Sequence, residues 1–423
     1  MYKILNKTKY IIIFATLLII TAFIASPYIY AEETAYVWSN QSEKLEETTS
    51  TNANIVGSSN ATITDNPLNL ESGSACLMEQ SSGMIIYNHN MHEQLRPASV
   101  TKVMSLLLIM EALDSGRISL TDKVPCTEDA AAMGGSQIWL DVRETLTVEE
   151  MLKAICVVSA NDCVVAMADY LEGSQEAFVT KMNEKAKELG MNDTTFKNCH
   201  GIDEDGHVTS SHDIAIMSRE LMINHPSITN YTTIYMDTLR DGKSSLVNTN
   251  KLVRNYSGCT GLKTGSTSIA LYNLSATATR NGLSLICVIM RAPTTKIRFA
   301  EAQKLLDYGF SNYEFKEFGK KGDIIKTLSV NKGTPSSIDA VLENDSGVVI
   351  KKGNNSEISQ NISLDGNVTA PILENQKLGE VSYTLDGEIL DTVNIIASHE
   401  VNRLTFLNIS KSTLLKWFTM FRL

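Results

Sequence analysis

Ser99 and Lys102 are the first residues in the sequence whose types and spacing could support covalent chemistry. At the start of a helix, residues three apart lie on one face, with their Cβ atoms about 5–6 Å apart. A serine hydroxyl becomes a nucleophile when a neighbouring base takes its proton, and a lysine can be that base if burial and nearby cations lower its pKa. The apolar sequence VMSLLLIM after Lys102 predicts this burial. The alternative is an N-cap serine followed by a surface lysine.

Ser159 and Asn161 form a second polar pair, which interrupts two apolar helical runs. Polar groups buried there are costly unless they have partners. A loop that presents Ser159 to Lys102 and Lys263, and Asn161 to a substrate amide, would resolve this cost. Ser159 is then a candidate proton relay to a leaving group. The alternative is that Ser159-Ala160-Asn161 serves only as a helix cap.

Lys263, Thr264 and Gly265 are predicted to begin a strand. Lys263 supplies a fixed cation and Thr264 a hydroxyl for a carboxylate, while Gly265 lets a substrate backbone approach closely. The surrounding sequence GCTGLKTG is not a phosphate-binding loop, because that motif needs Gly-Lys followed by Ser or Thr.

Copies of the shorter motifs occur elsewhere in the chain. SxxK recurs at Ser329–Lys332, and SxN recurs several times, for example at Ser58–Asn60 and Ser359–Asn361, whereas KTG occurs once. Whether a copy of a motif could be functional therefore depends on the helix, strand or loop on which it lies. The copies described above are predicted at a helix start, in a break between helices and on a strand.

The elements around the motifs are predicted from periodicity and capping residues. A hairpin is predicted around residues 81–83 and a buried helix over 99–113. Thr147 is a predicted N-cap with Glu150 three residues on, and Gly190 is a predicted C-cap. The Asn-Gly pair at 281–282 predicts a tight turn between two strands, after which the sequence RFAEAQKLLDYGF predicts a closing helix.

The N-terminal sequence predicts the compartment. A lysine-containing start precedes an uncharged run from Tyr10 to Ala31, so residues 1–31 are predicted to be a secretory signal, cleaved after Ala31. The protein is then expected at the extracytoplasmic face of the membrane or in the cell wall. The alternative is an uncleaved membrane anchor. Residues 32–70 are polar and predict a flexible linker.

Two folded domains are predicted after the linker, a catalytic domain at 71–312 and an all-β domain at 313–400, where short alternating runs are typical of strands. Residues 401–423 are basic, with apolar residues mostly on one side of a helix, which predicts association with a membrane surface. The alternative is a helix packed on the β domain. The net charge of -11 and the lack of a basic, aromatic stripe exclude a nucleic-acid partner.

The order SxxK, SxN, KTG resembles that of the penicillin-binding protein and serine β-lactamase superfamily. The region from Ala75 to Phe310 is more specifically similar to the serine D-Ala-D-Ala carboxypeptidases of low molecular mass, through RPASVTKVMS, NCHGIDEDGH, GLKTGST and RFAEAQKLLDYGF. The resemblance implies an α/β (α+β) fold, with a central antiparallel sheet flanked by helices and a small all-β domain after it. It also implies binding of peptidoglycan stem peptides that end in D-Ala-D-Ala and of β-lactam antibiotics, without a metal or cofactor.

The resemblance further implies a role for each motif residue. Ser99 would form the acyl-enzyme and Lys102 would accept its proton, while Ser159 and Asn161 would complete the acid–base set. Asn161 would bind substrate. Lys263 and Thr264 would hold its terminal carboxylate. The remaining implied binding positions are Gly265 and Ser266, and the backbone N–H groups of Ser99 and Ser266 would form the oxyanion hole.

Two positions depart from the family pattern. Leu271 stands where a glycine is usual and Arg291 where a small residue is usual, so the cleft is expected to differ in shape. His200 is interpreted as structural, because Lys102 already fills the position of the base. Three rival functions stay open: a β-lactamase, although no ExxLN-like segment lies between Asn161 and Lys263; a wall-binding homologue without turnover; and an endopeptidase acting on cross-links.

Overall fold

The computed structural model describes residues 68–353, 358–385 and 387–405. The predicted signal at 1–31, most of the predicted linker and the predicted tail beyond Thr405 lie outside the described residues. Among the residues that are described, no helix is long and apolar enough to cross a membrane.

A five-stranded antiparallel sheet forms the centre of the first domain, with the strand order β2-β1-β9-β8-β7. Its strands are β1 (Ser74–Glu79), β2 (Ile85–His89), β7 (Cys259–Thr267), β8 (Leu271–Arg280) and β9 (Leu283–Ala292). Strand β7 lies at one edge of this sheet. Two small hairpins lie beside the sheet, formed by β3 (Lys123–Pro125) with β4 (Thr145–Thr147) and by β5 (Met236–Leu239) with β6 (Ser244–Val247).

Helices cover both faces of the sheet. They are α1 (Lys102–Asp114), α2 (Glu128–Ala131), α3 (Val148–Val157), α4 (Asn161–Glu172), α5 (Gln175–Glu188), α6 (Ser211–Asn224), α7 (Thr229–Thr232), α8 (Leu252–Asn255) and α9 (Thr295–Asn312). Short 3₁₀ turns at Ala98–Thr101 and Pro226–Ile228 precede α1 and α7.

Alternation along the strands divides the interior into two cores. In β1, Cys76 and Met78 face the core made with most of the helices, whereas Ala75 and Leu77 face the core made with α9. Successive side chains of a strand point to opposite faces, so a sheet that is buried on both faces needs apolar residues at every position. The predicted α+β catalytic fold is therefore confirmed, with helices on both sides of one antiparallel sheet.

Local signals confirm several predicted elements. Thr147 caps α3, and Glu150 returns the hydrogen bond to the Thr147 backbone, so the predicted capping box is formed. Asn281 and Gly282 both adopt positive φ between β8 and β9, as a tight hairpin turn requires. Two predicted starts shift: β7 begins at Cys259, not at Lys263, and the helix predicted from Ser99 begins as a 3₁₀ turn.

The second part of the chain is all β, as predicted. Six strands pair in the order β15-β17-β18-β13-β11-β16, and two smaller pairs, β10-β14 and β12-β19, complete it. The strands are β10 (Tyr313–Gly319), β11 (Ile324–Asn331), β12 (Gly333–Thr334), β13 (Ser337–Leu342), β14 (Ser346–Lys351), β15 (Ile358–Leu364), β16 (Val368–Thr369), β17 (Lys377–Leu385), β18 (Glu388–Ala397) and β19 (Asn402–Arg403). Val401 is buried and β19 pairs with β12, so the boundary predicted at residue 401 falls inside this domain.

Candidate active site

Ser99 and Lys102 meet at the turn that starts α1. The Lys102 amine lies 3.0 Å from the Ser99 hydroxyl, within hydrogen-bond reach. Ser99 is partly exposed, whereas Lys102 is fully buried. The pair therefore combines a hydroxyl that solvent and substrate can reach with an amine that water does not solvate. This is the geometry of a nucleophile and its base.

The surroundings of Lys102 favour the neutral form of its amine, which can act as a base. Burial lowers its pKa well below the usual value, and the nearby Lys263 ammonium lowers it further. Its amine donates hydrogen bonds to Asn161 Oδ1 at 2.5 Å and to the carbonyl of His200 at 2.6 Å. These acceptors direct the nitrogen toward Ser99, and a neutral amine at this position can accept the hydroxyl proton.

Ser159 lies in the break between α3 and α4. Its φ of +66° is left-handed, a conformation that a serine rarely adopts. Its hydroxyl is buried and has no hydrogen-bond partner among the described residues. The predicted hydrogen bonds from Ser159 to the two lysines are therefore not formed here. A strained residue with an unpaired buried hydroxyl is typical of a site that a ligand completes.

Asn161 is the first residue of α4, and its amide is already engaged. Oδ1 accepts from Lys102, and Nδ2 donates to the carbonyl of Gly134 at 2.7 Å. The side-chain partners of Asn161 here are the base and the loop of residues 134–140, and its contact with a substrate amide stays a prediction. The carboxylate of Asp162 also holds that loop, accepting from the N–H groups of Ile138 and Leu140. Asn161 thus joins the base to a wall of the site.

Lys263 and Thr264 lie in the middle of the edge strand β7. Lys263 is almost fully buried, and burial lowers its pKa to about 7 while the Arg298 guanidinium lowers it too. Its amine donates to the carbonyl of Thr264 at 2.9 Å, and the Thr264 hydroxyl donates to Thr249 at 2.7 Å. A lysine that gains a carboxylate partner here would recover its charge.

Gly265 lets another backbone segment come close to β7. That segment is the Ser99 turn of the protein itself. A Cβ on Gly265 would lie 2.8 Å from the backbone nitrogens of both Ser99 and Val100. The missing side chain lets β7 press against the turn that carries the nucleophile, which corrects the predicted role of a gap for substrate. Ser266 follows on the same strand and is exposed.

His200 contributes through its backbone, consistent with its interpretation as structural. The loop that carries it is fixed against the Ser99 turn by Gly201, whose φ is +89° and whose Cβ would lie 1.9 Å from the carbonyl of Ala98. Only glycine fits this contact. Ala98 itself has a φ of +49°, so the residue before the nucleophile is held in a left-handed conformation.

Two buried residues behind the site escaped the sequence analysis. Arg298 of α9 donates to the carbonyls of Gly265 and Asn273, and burial lowers its pKa to about 10. The Asn273 amide donates to the carbonyl of Arg96, just before the Ser99 turn. The sequence offered one signal, since Arg298 is a charged residue inside the helix that closes the domain. Its burial depends on how α9 packs on the sheet.

Leu271 and Arg291, the two residues that depart from the family pattern, both have a left-handed backbone conformation. Leu271 has a φ of +56° and Arg291 a φ of +58°, conformations that favour glycine. Asn273 Oδ1 accepts from the backbone N–H of Arg291 at 2.7 Å, where the register of β8 and β9 shifts. The backbone bulge thus carries large side chains, at the end of the sheet next to β7.

Family models match both parts of the chain. The model described as D-alanyl-D-alanine carboxypeptidase matches residues 60–294, more than half of the chain. The model described as penicillin-binding protein 5, C-terminal domain, matches residues 313–403.

Relatives and solved structures agree with these matches. The chain is 43% identical over 351 residues to D-alanyl-D-alanine carboxypeptidase DacF of Bacillus subtilis, covering 82% of this chain and 90% of the relative. It is 32% identical to DacC of Escherichia coli, covering 77% of this chain and 83% of that protein. Penicillin-binding protein 5 from Haemophilus influenzae matches with a TM-score of 0.64 at 32% identity, covering 80% of this chain and 99% of the other. Penicillin-binding protein D2 from Listeria monocytogenes, in its ampicillin-bound form, matches with a TM-score of 0.53 at 31% identity, covering 57% and 99%.

Proposed function

The chain belongs to the D-alanyl-D-alanine carboxypeptidase family, and from this premise we propose that Ser99 is the nucleophile with which it removes the terminal D-alanine of peptidoglycan stem peptides. Its activity is that of a serine-type D-Ala-D-Ala carboxypeptidase. The observation that carries the assignment to Ser99 is the contact with Lys102, a fully buried amine 3.0 Å from the hydroxyl.

In the first half of the proposed reaction, the Ser99 oxygen attacks the carbonyl carbon of the penultimate D-alanine. Lys102 takes the hydroxyl proton, because its lowered pKa leaves the amine free to accept it. The backbone N–H groups of Ser99 and Ser266 stabilise the negative charge that develops on the carbonyl oxygen, each worth about 10²–10³ in rate. The Lys263 ammonium and the Thr264 hydroxyl hold the terminal carboxylate of the substrate.

In the second half, the peptide bond breaks and terminal D-alanine leaves as an amine. Ser159 relays the proton to that nitrogen, a role supported by its buried hydroxyl, which has no partner among the residues that the structure describes. Water then attacks the Ser99 ester, with Lys102 again accepting a proton, and the shortened stem peptide is released. One base and one oxyanion site therefore serve both halves, with Ser159 as the proton relay.

The same serine is proposed to be acylated by β-lactams. A β-lactam carbonyl would occupy the position of the penultimate D-alanine carbonyl, and ring opening would replace departure of D-alanine. The ampicillin-bound form of the related Listeria protein supports this proposal. Release is expected to be slow, which separates the protein from the rival β-lactamase function. Rapid turnover of purified protein on penicillins would contradict this expectation.

Mass spectrometry of a pentapeptide substrate tests the proposal directly. The wild-type protein is expected to remove one alanine and to be labelled by fluorescent penicillin, whereas Ser99→Ala is expected to do neither. The control is Ser329→Ala, which removes an exposed serine of the second SxxK copy and is expected to keep both activities. Labelling that persists in Ser99→Ala would refute the assignment of the nucleophile. No labelling of wild type would favour the wall-binding alternative, and cleavage of cross-linked dimers would favour the endopeptidase.

The location of the protein is also proposed. The basic start and uncharged run before Ala31 support export, and the basic, apolar tail supports contact between the chain and a membrane surface. Co-sedimentation with anionic lipid vesicles tests the tail, by comparing the chain that ends at Leu423 with one that ends at Thr405. Equal binding of the two chains would remove the tail from the proposal.

A further inference from the structure

Three consecutive hydrogen bonds form a chain that ends at the residue before the nucleophile. The backbone N–H of Lys197 donates to His207 Nδ1 at 2.9 Å, and His207 Nε2 lies 2.8 Å from the Thr101 hydroxyl. The Thr101 hydroxyl in turn donates to the carbonyl of Ala98 at 2.8 Å. None of the proposed catalytic steps uses His207 or Thr101, so this hydrogen-bond chain needs a separate explanation.

The hydrogen-bond chain has a single direction. Burial lowers the pKa of His207 to about 4, so the ring is neutral near pH 7. A backbone N–H can only donate, so Nδ1 is the acceptor and the ring proton lies on Nε2. Nε2 then donates to the Thr101 hydroxyl, and the proton of that hydroxyl is directed to the Ala98 carbonyl, which can only accept. Bonds aligned in this way polarise and strengthen one another.

The Ala98 carbonyl is held firmly by its surroundings. Ala98, Thr101 and His207 are all buried, so water does not compete for these hydrogen bonds. Gly201 lies against the same carbonyl, in the contact that only glycine fits. Ala98 has the left-handed φ of +49°, a conformation that persists in a residue other than glycine only where the surroundings determine it. The hydrogen-bond chain and the Gly201 contact are the interactions that determine it here.

The Ala98 carbonyl and the Ser99 N–H belong to the same peptide unit. A trans peptide unit is planar, and its C=O and N–H point in opposite directions. Any rotation of the Ala98 carbonyl therefore turns the Ser99 N–H through the same angle. This N–H is one of the two proposed oxyanion donors, and such a donor works only when it is aimed at the position that the oxyanion will occupy. What holds the carbonyl thus also aims the donor.

We propose that His207 and Thr101 are positioning residues for the oxyanion hole, which act by fixing the Ala98 carbonyl and so aiming the Ser99 N–H at the developing oxyanion. Neither side chain needs to touch the substrate for this role. The hydrogen bond that the carbonyl accepts also polarises the peptide unit, which makes the N–H at its other end a better donor. This inference rests on the proposed function and deepens it, since it identifies what holds one of the two oxyanion donors in place.

Hydrolysis kinetics of a D-Ala-D-Ala peptide test the inference with the full-length protein. Thr101→Val removes the hydroxyl and keeps the side-chain shape. It is expected to lower kcat about 10–100-fold, which is less than the loss of a whole oxyanion donor, while KM stays near the wild-type value. Thr101→Ser keeps the hydroxyl and is expected to recover most of kcat. His207→Phe keeps a ring without the N–H and is expected to lower kcat as well. The double variant Thr101→Val/His207→Phe should be no slower than the slower single variant, because both act through one hydrogen-bond chain.

A peptidyl boronic acid separates the aim of the N–H from a general loss of stability. Boron replaces the carbonyl carbon of the penultimate D-alanine and forms a reversible tetrahedral adduct with the Ser99 oxygen, which places an oxygen in the oxyanion position. A mimic of the transition state loses affinity when transition-state stabilisation is lost. Its affinity is therefore expected to fall in Thr101→Val by about the same factor as kcat/KM, and to recover in Thr101→Ser. A role in stability alone would leave this affinity unchanged in a folded variant.

Thr232→Val is the matched control, since it removes the same kind of buried hydrogen bond, from a hydroxyl on α7 to the carbonyl of Thr260 at 2.6 Å. It is expected to keep the wild-type kcat and boronate affinity. Thermal unfolding shows whether each variant is folded at the assay temperature, and His207→Phe takes the place of Thr101→Val if valine prevents folding. A wild-type kcat in Thr101→Val, or a lower kcat with unchanged boronate affinity, would overturn the inference and leave the proposed function intact. If the wild-type protein removed no alanine, the proposed function would fall and this inference with it.

Discussion

The described chain contains two serine–lysine pairs with the same spacing, and only one of them is built for chemistry. Ser99 and Lys102 lie at a helix start, where the lysine is fully buried and its amine reaches the serine. Ser329 lies on β11 and Lys332 just beyond it, and both are exposed. Side chains three apart point to opposite faces of a strand, whereas they share a face of a helix. The SxxK spacing alone therefore does not make the serine reactive. Reactivity requires that the two residues lie at a helix start and that the lysine is buried.

The largest expected effect concerns the two lysines. Lys102→Ala is expected to lower kcat/KM on a D-Ala-D-Ala peptide by about 10³–10⁴-fold, because a base in the transition state is lost. Lys102→Arg is expected to be equally inactive, since a guanidinium does not give up its proton. Steady-state hydrolysis kinetics measure both. Lys332→Ala is the control and should match wild type; an active Lys102→Arg would show that burial of a neutral amine is not what distinguishes the two copies.

Two of the serines that begin SxN copies, Ser159 and Ser359, differ in the same way. The Ser159 hydroxyl is buried without a hydrogen-bond partner in the part of the chain that the structure describes, while Ser359 is exposed on β15. Ser159→Ala is expected to reduce kcat by about 10²–10³-fold, because proton delivery to the leaving amine is lost. Its thermal stability should stay close to that of wild type, since no hydrogen bond is removed in the described structure. Ser359→Ala should change neither quantity, and equal activity of the two variants would remove Ser159 from the mechanism.

Two glycines extend the comparison between the active site and the β domain to backbone contacts. Gly265→Ala places a methyl group against the Ser99 turn and is expected to cost about 10²-fold in kcat, as a displacement near 1 Å can. An added Cβ on Gly366 of the β domain would meet no atom of the described residues within 4 Å. Gly366→Ala is therefore expected to be silent. The acylation rate with fluorescent penicillin measures the difference, and a fully active Gly265→Ala would show that the close approach is dispensable.

The smallest effect is a pH dependence. Lys263 has a pKa lowered to about 7, so its positive charge is present below that pH and is lost as pH rises through it. The kcat/KM for a carboxylate-bearing peptide is expected to fall about tenfold for each pH unit above 7, since this parameter reports the free enzyme. Lys263→Arg should remain charged and give a flat profile above pH 7. A wild-type profile that is level up to pH 9 would contradict the assignment of Lys263 as the carboxylate anchor.

Local chemistry made much of the fold predictable from the sequence. The capping box at Thr147 and Glu150 and the turn at Asn281 and Gly282 are contacts between near neighbours, so their residue types fix them. The fold class was implied by the family resemblance that the motifs carry, and it was confirmed. The β-domain boundary at residue 401 was placed too early, because pairing of β19 with β12 is a contact between distant segments.

The residues of the site were predictable as types, but their contacts were not. The hydrogen bonds of Asn161 to Lys102 and to Gly134 were not predicted, and its contact with substrate stays a prediction. Gly265 was expected to admit substrate and instead admits the Ser99 turn. Arg298 and Asn273 were missed, because a buried polar residue reveals itself only when its partners are known. Each of these contacts joins segments far apart in the chain, which no local pattern encodes.

The three hydrogen bonds of the Lys102 amine link the reactivity of Ser99 to the completion of folding. Its acceptors come from residues 99, 161 and 200, separated from Lys102 by 3, 59 and 98 positions. A chain that has not finished folding gathers none of the distant acceptors and does not bury the amine, so it carries an ordinary protonated lysine beside an inert alcohol. Ser99 is thus expected to be unreactive until the tertiary structure is complete, because only then is the Lys102 amine buried beside it.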